Sequence, residues 1–145
     1  MKFAGDCLQD SCEKTINNKH NNFLYIASLN ARKSNMHKNY GAVIVYNKKI
    51  IGYGHNHSID YITRMHNYIG KNRKILQNVH AEHDAIIDAI KRGYKEKISK
   101  SEIYISRILN DYDKYQDFNY QTSHPCDNCK KLIEKYKIRR VYYMD

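Results

Sequence analysis

Four side chains of this 145-residue sequence have the types and spacing to act on one substrate: His80, Glu82, Cys126 and Cys129. An imidazole nitrogen and two thiolates are zinc donors, and three protein donors leave the fourth tetrahedral position open. A closed site of four ligands serves structure alone. An open one carries water whose pKa falls from 15.7 to about 7, a nucleophile at neutral pH. Hydrolysis by such a water also needs a group that moves protons, and Glu82 stands two residues beyond His80. Residues i and i+2 of a regular helix point nearly opposite ways. His80 must therefore sit at or before the first turn if both groups are to face one site.

The cysteine pair has its own local logic. In Pro125-Cys126-Asp127-Asn128-Cys129 the i, i+3 spacing puts both sulfurs on one helix face. Proline fits just before or at the first helical position, where no backbone donor is lost. The partial positive charge of a helix start favours thiolate over thiol. Blander readings compete at this point: a structural zinc knuckle with His83 or His124 as fourth ligand, a redox C-x-x-C, or Glu82 as a favourable acidic residue in a first turn. Cys7 and Cys12 lie in a polar segment without periodic structure, and a second metal site there is the weaker reading.

The elements that must position these groups follow from periodicity. HAEHDAIIDAIKRG, from His80 to Gly93, reads as a helix: Ile86, Ala89 and Ile90 form its buried stripe, and Lys91, Arg92 and Gly93 suit its end. Cys126–Tyr136 reads as a second helix and His20–Lys33 as an earlier one. Two β-branched runs, Ala42–Tyr46 and Ile50–Tyr53, flank a short Asn47-Lys48-Lys49 turn and predict a hairpin. Glu102–Leu109 and Ile138–Met144 supply two more strands. The order α-β-β-α-β-α-β predicts an α/β fold, a three-layer α-β-α sandwich around a mixed sheet. The hairpin strands are antiparallel in it, and the last two strands are parallel through a crossover helix. Residues 1–19 read as a polar N-terminal arm and 20–145 as one domain. Ser58–Asn78 and Asn110–His124 read as loops.

His80-Ala81-Glu82 followed by Pro125-Cys126-x-x-Cys129 resembles the signature of the cytidine/deoxycytidylate deaminase superfamily, a pattern already described for zinc deaminases. Gly41-Ala-Val-Ile-Val looks like that family's first core strand, and Gly54-His-Asn56 is similar to its Gly-x-Asn. Pro125–Tyr143 runs close to the deoxycytidylate type, and the resemblance covers about residues 20–145. It implies one zinc per chain on His80, Cys126 and Cys129, with Glu82 as the catalytic proton shuttle. It also implies substrate contacts at Asn56 (a sugar hydroxyl), at the Ala81 and Cys126 backbone, and at Lys33, Ser34 and Lys38 (phosphate). The implied reaction is hydrolytic deamination of a cytosine nucleotide such as dCMP, in an assembly of identical subunits. Asp84 departs from the Asn that nucleotide deaminases often carry there, and Asn110–Ser123 looks like an insertion whose Tyr112, Tyr115 or Tyr120 would stack on a base.

Composition narrows the partners. With 25 Lys and Arg against 15 Asp and Glu the net charge is +10, which suits a nucleotide phosphate or a nucleic-acid backbone. The abundance of Lys, Asn, Ile and Tyr also fits the codon bias of an AT-rich genome. A deaminase of single-stranded nucleic acid or tRNA is thus a second reading, and a non-catalytic zinc-stabilised binding module a third. No apolar run approaches the ~20 residues of a membrane helix, and the N-terminus has no apolar signal region. The cytoplasm is the expected compartment, where free thiols and metal sites are the rule.

Overall fold

The computed structural model describes residues 2–4, 18–58, 78–109 and 120–144. Its elements are β1 (Lys2–Ala4), α1 (Asn18–Ala31), β2 (Asn39–Tyr46), β3 (Lys49–His55), β4 (His57–Ser58), β5 (Asn78–Val79), α2 (Ala81–Lys91), a 3₁₀ helix (Lys95–Lys100), β6 (Glu102–Ile108), β7 (Tyr120–Gln121), α3 (Asp127–Lys135) and β8 (Arg140–Tyr143). Six strands make one sheet in the order β1-β8-β6-β2-β3, with β7 beside β6. β2 is antiparallel to both β3 and β6, whereas β6 and β8 run parallel. The sheet is mixed, as expected.

Period-2 alternation assigns the side chains to its two faces. Ala42, Ile44, Ile103, Ile105, Val141 and Tyr143 turn one way and pack with Ala81, Ala85, Ile86 and Ala89 of α2 and Ile133 of α3. Val43, Val45, Tyr104 and Tyr142 turn the other way and meet Leu24 and Ala27 of α1. Helix, sheet and helices form the three layers of an α/β sandwich. The hairpin between β2 and β3 closes on a two-residue loop, with Asn47 at φ 47° and Lys48 at φ 64°. Two positive φ values in succession give the turn whose twist matches paired strands.

Some elements differ from expectation. No strand was expected before about His20, yet Lys2–Ala4 pairs with β8; a run of three residues is too short to display a period. β4 and β5 form a two-residue ribbon inside the stretch read as a loop, and β7 extends the β8 side of β6 from within the segment read as an insertion. The 3₁₀ helix was also missed, because KEKISK carries only Ile98 toward the core. Cys7, Cys12, Tyr112 and Tyr115 lie outside the described residues.

Candidate active site

His80 and Cys126 occupy equivalent places. Each is the N-cap of its helix, extended in backbone (φ −78°, ψ 152° and φ −69°, ψ 167°), and neither spends its side chain on capping. This meets the geometric condition set by the sequence: outside the helix, His80 is freed from the regular i, i+2 opposition to Glu82. The ribbon of β4 and β5 delivers the chain to His80, with Val79 opposite His57. Ser123 anchors the approach to Cys126. Its N–H donates to the Met144 carbonyl and its hydroxyl to the Ile105 carbonyl, both at 2.8 Å, while the Met144 N–H donates back to the hydroxyl.

Glycine sets how closely α2 lies on the sheet. A Cβ on Gly54 would stand 2.2 Å from the Ala81 carbonyl oxygen and 2.4 Å from the Ala85 nitrogen. Only a residue without Cβ lets the first turn of α2, with His80 and Glu82, reach the end of β3. Two carboxylates then fix the helix along this edge strand: Asp84 accepts the His55 N–H at 3.0 Å, and Asp88 the Tyr53 N–H at 2.9 Å. These backbone donors would otherwise be open to a foreign strand. Asp84 also lies 3.8 Å from His55 Nδ1 and 3.5 Å from His57 Nε2. The Asp84 departure noted in the sequence is thus an edge-capping residue.

The donor atoms of His80, Cys126 and Cys129 all lie within 4.8 Å of one another, the one such group among the described residues. His80 Nδ1 is 3.2 Å from Cys129 Sγ and 3.5 Å from Cys126 Sγ. Tetrahedral zinc with ordinary Zn–N and Zn–S bonds would hold such donors about 3.6 Å apart, so the residues fit one ion. The chemistry of the donor set agrees. Burial, and next the neighbouring Glu82 carboxylate, push the Cys129 thiol up from its ordinary value. A coordinated divalent cation would deprotonate that thiol outright and so offset the effect of burial. His83 and His124 are not members of the group; His83 is exposed, and His124 Nδ1 donates to the Pro125 carbonyl at 2.9 Å.

Glu82 is only 4% exposed, yet it lines a cavity of about 200 Å³ together with His80, Ala81 and Cys126. Asn56 and Lys38, expected as sugar and phosphate contacts, line the same cavity; Met36, Tyr40, Asn78, Ser123 and His124 were not foreseen as lining. Ser123 and His124 could have been, since they immediately precede Pro125-Cys126. Tyr40 precedes Gly41 at the strand start, where alternation places it on the α2 face. The Asn56 side chain clamps the start of β2: its Oδ1 accepts the Tyr40 N–H at 2.8 Å and its Nδ2 donates to the Lys38 carbonyl at 2.6 Å. Lys33 and Ser34 are not in this wall. Lys33 lines a separate groove with His55, Asp84 and Lys91, and the Ser34 hydroxyl accepts the Met36 N–H.

A three-layer α/β sandwich with an open His/Cys/Cys metal group and a buried carboxylate at two helix starts defines a zinc-dependent hydrolase. Residues 17–145 match the family model described as the cytidine and deoxycytidylate deaminase zinc-binding region, and the chain belongs to that family of zinc-dependent deaminases. Among solved structures the fold resembles dCMP deaminase from the cyanophage S-TIM5 in apo form. The TM-score is 0.56 at 20% identity, over 86% of this chain and 81% of that one. The same cyanophage enzyme in complex with dCMP and dUMP matches at a TM-score of 0.45 and 16% identity, over 90% of this chain and 79% of that one. No curated protein sequence matches.

Proposed function

We propose that the chain removes the amino group of a cytosine nucleotide, dCMP, by hydrolysis, giving the uracil form and ammonia. The observation that supports this above all others is the buried Glu82 carboxylate beside a three-donor metal group in one cavity. In this reading His80, Cys126 and Cys129 hold one zinc ion, which when bound supplies activated water as nucleophile. Glu82 would accept the proton of the attacking water as its oxygen bonds to C4, hand it to N3 of the ring, and then carry the proton of the new hydroxyl to the amine as the C4–N bond breaks. Burial serves this role, because a carboxylate screened from bulk water keeps its proton transfers inside the site. The Ala81 N–H, at a first helical position without an intrahelical acceptor, and the Cys126 backbone orient the base. Asn56 Oδ1 retains a second lone pair for a sugar hydroxyl, and Lys38 faces the phosphate.

The same reading takes residues 20–145 as the catalytic domain and 1–19 as its arm, in a self-associating cytoplasmic enzyme. Metal analysis and ammonia release from a panel of cytosine, adenine and guanine compounds, each as base, nucleoside, nucleotide and oligomer, test it. One zinc per chain and ammonia from dCMP are expected. Deamination confined to oligonucleotides, with salt-dependent retention, would move the substrate to nucleic acid. Bound zinc without turnover of any base would leave a binding module.

A further inference from the structure

Arg107 is a charged residue on the site face that the reaction described above leaves unused. On β6, Ile103 and Ile105 pack toward α2 while the Ser106 hydroxyl turns to α1 and donates to the Leu24 carbonyl. Alternation therefore places Arg107 on the α2 face, the face of the metal group. It lies between Tyr40 of β2 and Gln121 of β7 in the register of the sheet. Its guanidinium carbon stands 5.6 Å from the centre of the Tyr40 ring, and Tyr40 lines the cavity with Lys38, Asn56, His80 and Glu82. Arg107 Nε is buried and has no hydrogen-bond partner among the described residues. The carboxylate pairs of this face lie elsewhere, Asp84 with His55 and His57 and Asp88 with Arg92.

A buried guanidinium N–H without an acceptor is costly, more so than a neutral donor, and the cost is relieved when an anion arrives. The Tyr40 ring beneath the guanidinium steadies it without accepting from its Nε–H. A planar fork of N–H groups held in this way matches two oxygens of a phosphate. We propose that Arg107 is an anion-binding residue of this cavity, contacting the phosphate of a nucleotide substrate from the Tyr40 side. The assignment rests on the nucleotide reading above and adds to it a specificity-determining residue: Arg107 makes the enzyme prefer the nucleotide over the nucleoside. Arg107 does not itself line the cavity; it borders it through Tyr40, and the end of β6 that carries it is held on both sides by paired strands.

Steady-state kinetics of the zinc-loaded full chain on dCMP and deoxycytidine, for the wild type and Arg107→Met, test the assignment. The variant should raise KM for dCMP roughly 10–100-fold, with kcat/KM for deoxycytidine unchanged. Arg107→Lys, which keeps the charge but not the fork, should fall between. An unchanged KM for dCMP, or equal losses on both substrates, would overturn the assignment. Wild type that does not turn over dCMP at all would instead overturn the nucleotide reading. Should Arg107→Met fail to fold, phenylglyoxal labelling of the wild type, mapped by mass spectrometry, decides the matter. Protection of Arg107 by dUMP but not by deoxyuridine supports the phosphate contact; equal protection by both, or by neither, contradicts it.

Discussion

The two faces of the sheet solve the same packing problem in opposite ways. Toward α1 the space is filled with rings. Tyr104 and Tyr142 stack with centroids 4.6 Å apart, His20 stacks on Tyr142 at 4.5 Å, and its Nδ1 bonds the Tyr104 hydroxyl at 2.6 Å. Toward α2 the material is removed. Gly52 and Gly54 face Ala81, Ala85 and Ala89, and a Cβ on Gly52 would stand 2.4 Å from the Ala85 carbonyl oxygen. Rings tolerate small adjustments of the helix over them, whereas backbone against backbone fixes both distance and register. The face that must position His80 and Glu82 is the face built of backbone contact. Even on the first face, Gly41 admits the Ala27 carbonyl of α1.

Substitutions can break this contrast. The largest effect on activity is expected at Gly54→Val, whose Cβ would meet helix backbone that cannot step aside. Overpacking of this kind costs roughly 1–3 kcal/mol and occasionally more. Displacing His80 and Glu82 by even ~1 Å should cost about 10²-fold in kcat/KM. Thermal melts and rates measured together check this, and unchanged activity would mean that the close approach does not set the site. Tyr104→Ala should cost a similar or larger stability, about 3–5 kcal/mol. Its zinc content and kcat should nevertheless stay near wild type at temperatures where it is folded. A loss of zinc there would mean that the two faces are coupled.

The smallest effect is expected in acid. Burial lowers the His20 imidazole from its ordinary 6.5, outweighing the opposing pull of Glu102. Because the folded value is depressed, the unfolded chain binds more protons as pH falls below 6.5, and stability drops with it. Above that value the contribution is fully present. His20→Phe keeps a ring in the stack and removes the titration, so the decline of melting temperature between about pH 7 and pH 5 should flatten. An unchanged slope would remove His20 from the account.

The sequence carried the central features of this architecture because they repeat. The Ala42–Tyr46 β-branched run, the Ile86/Ala89 stripe and the H-x-E and C-x-x-C spacings each state an element or a ligand set locally. His80 at a helix start followed from a conflict, since i and i+2 face one site only outside the regular helix. What stayed hidden was set by partners distant in sequence. Gly54 read only as the first residue of a Gly-x-Asn motif until α2 lay upon it, and Asp84 as a departure from a motif until the His55 N–H was found on its carboxylate. Arg107 closes a strand that reads as ordinary, and only its missing acceptor distinguishes it. Asn56 was expected to touch a sugar; its observed bonds go to Tyr40 and Lys38, a clamp that no local pattern announces. Short paired segments such as β5 and β7 lack the length to show a period at all.

The central claim is that Glu82 moves protons and does not hold the metal. Glu82→Gln keeps the shape and hydrogen bonding of the side chain but cannot accept and return a proton. Zinc content, melting temperature and the rate of ammonia release from dCMP, measured on one preparation of each protein, decide the matter. The account predicts zinc and melting temperature close to wild type, with kcat lower by about 10²–10⁴-fold. Near-full activity in Glu82→Gln, or loss of zinc along with the rate, would contradict it.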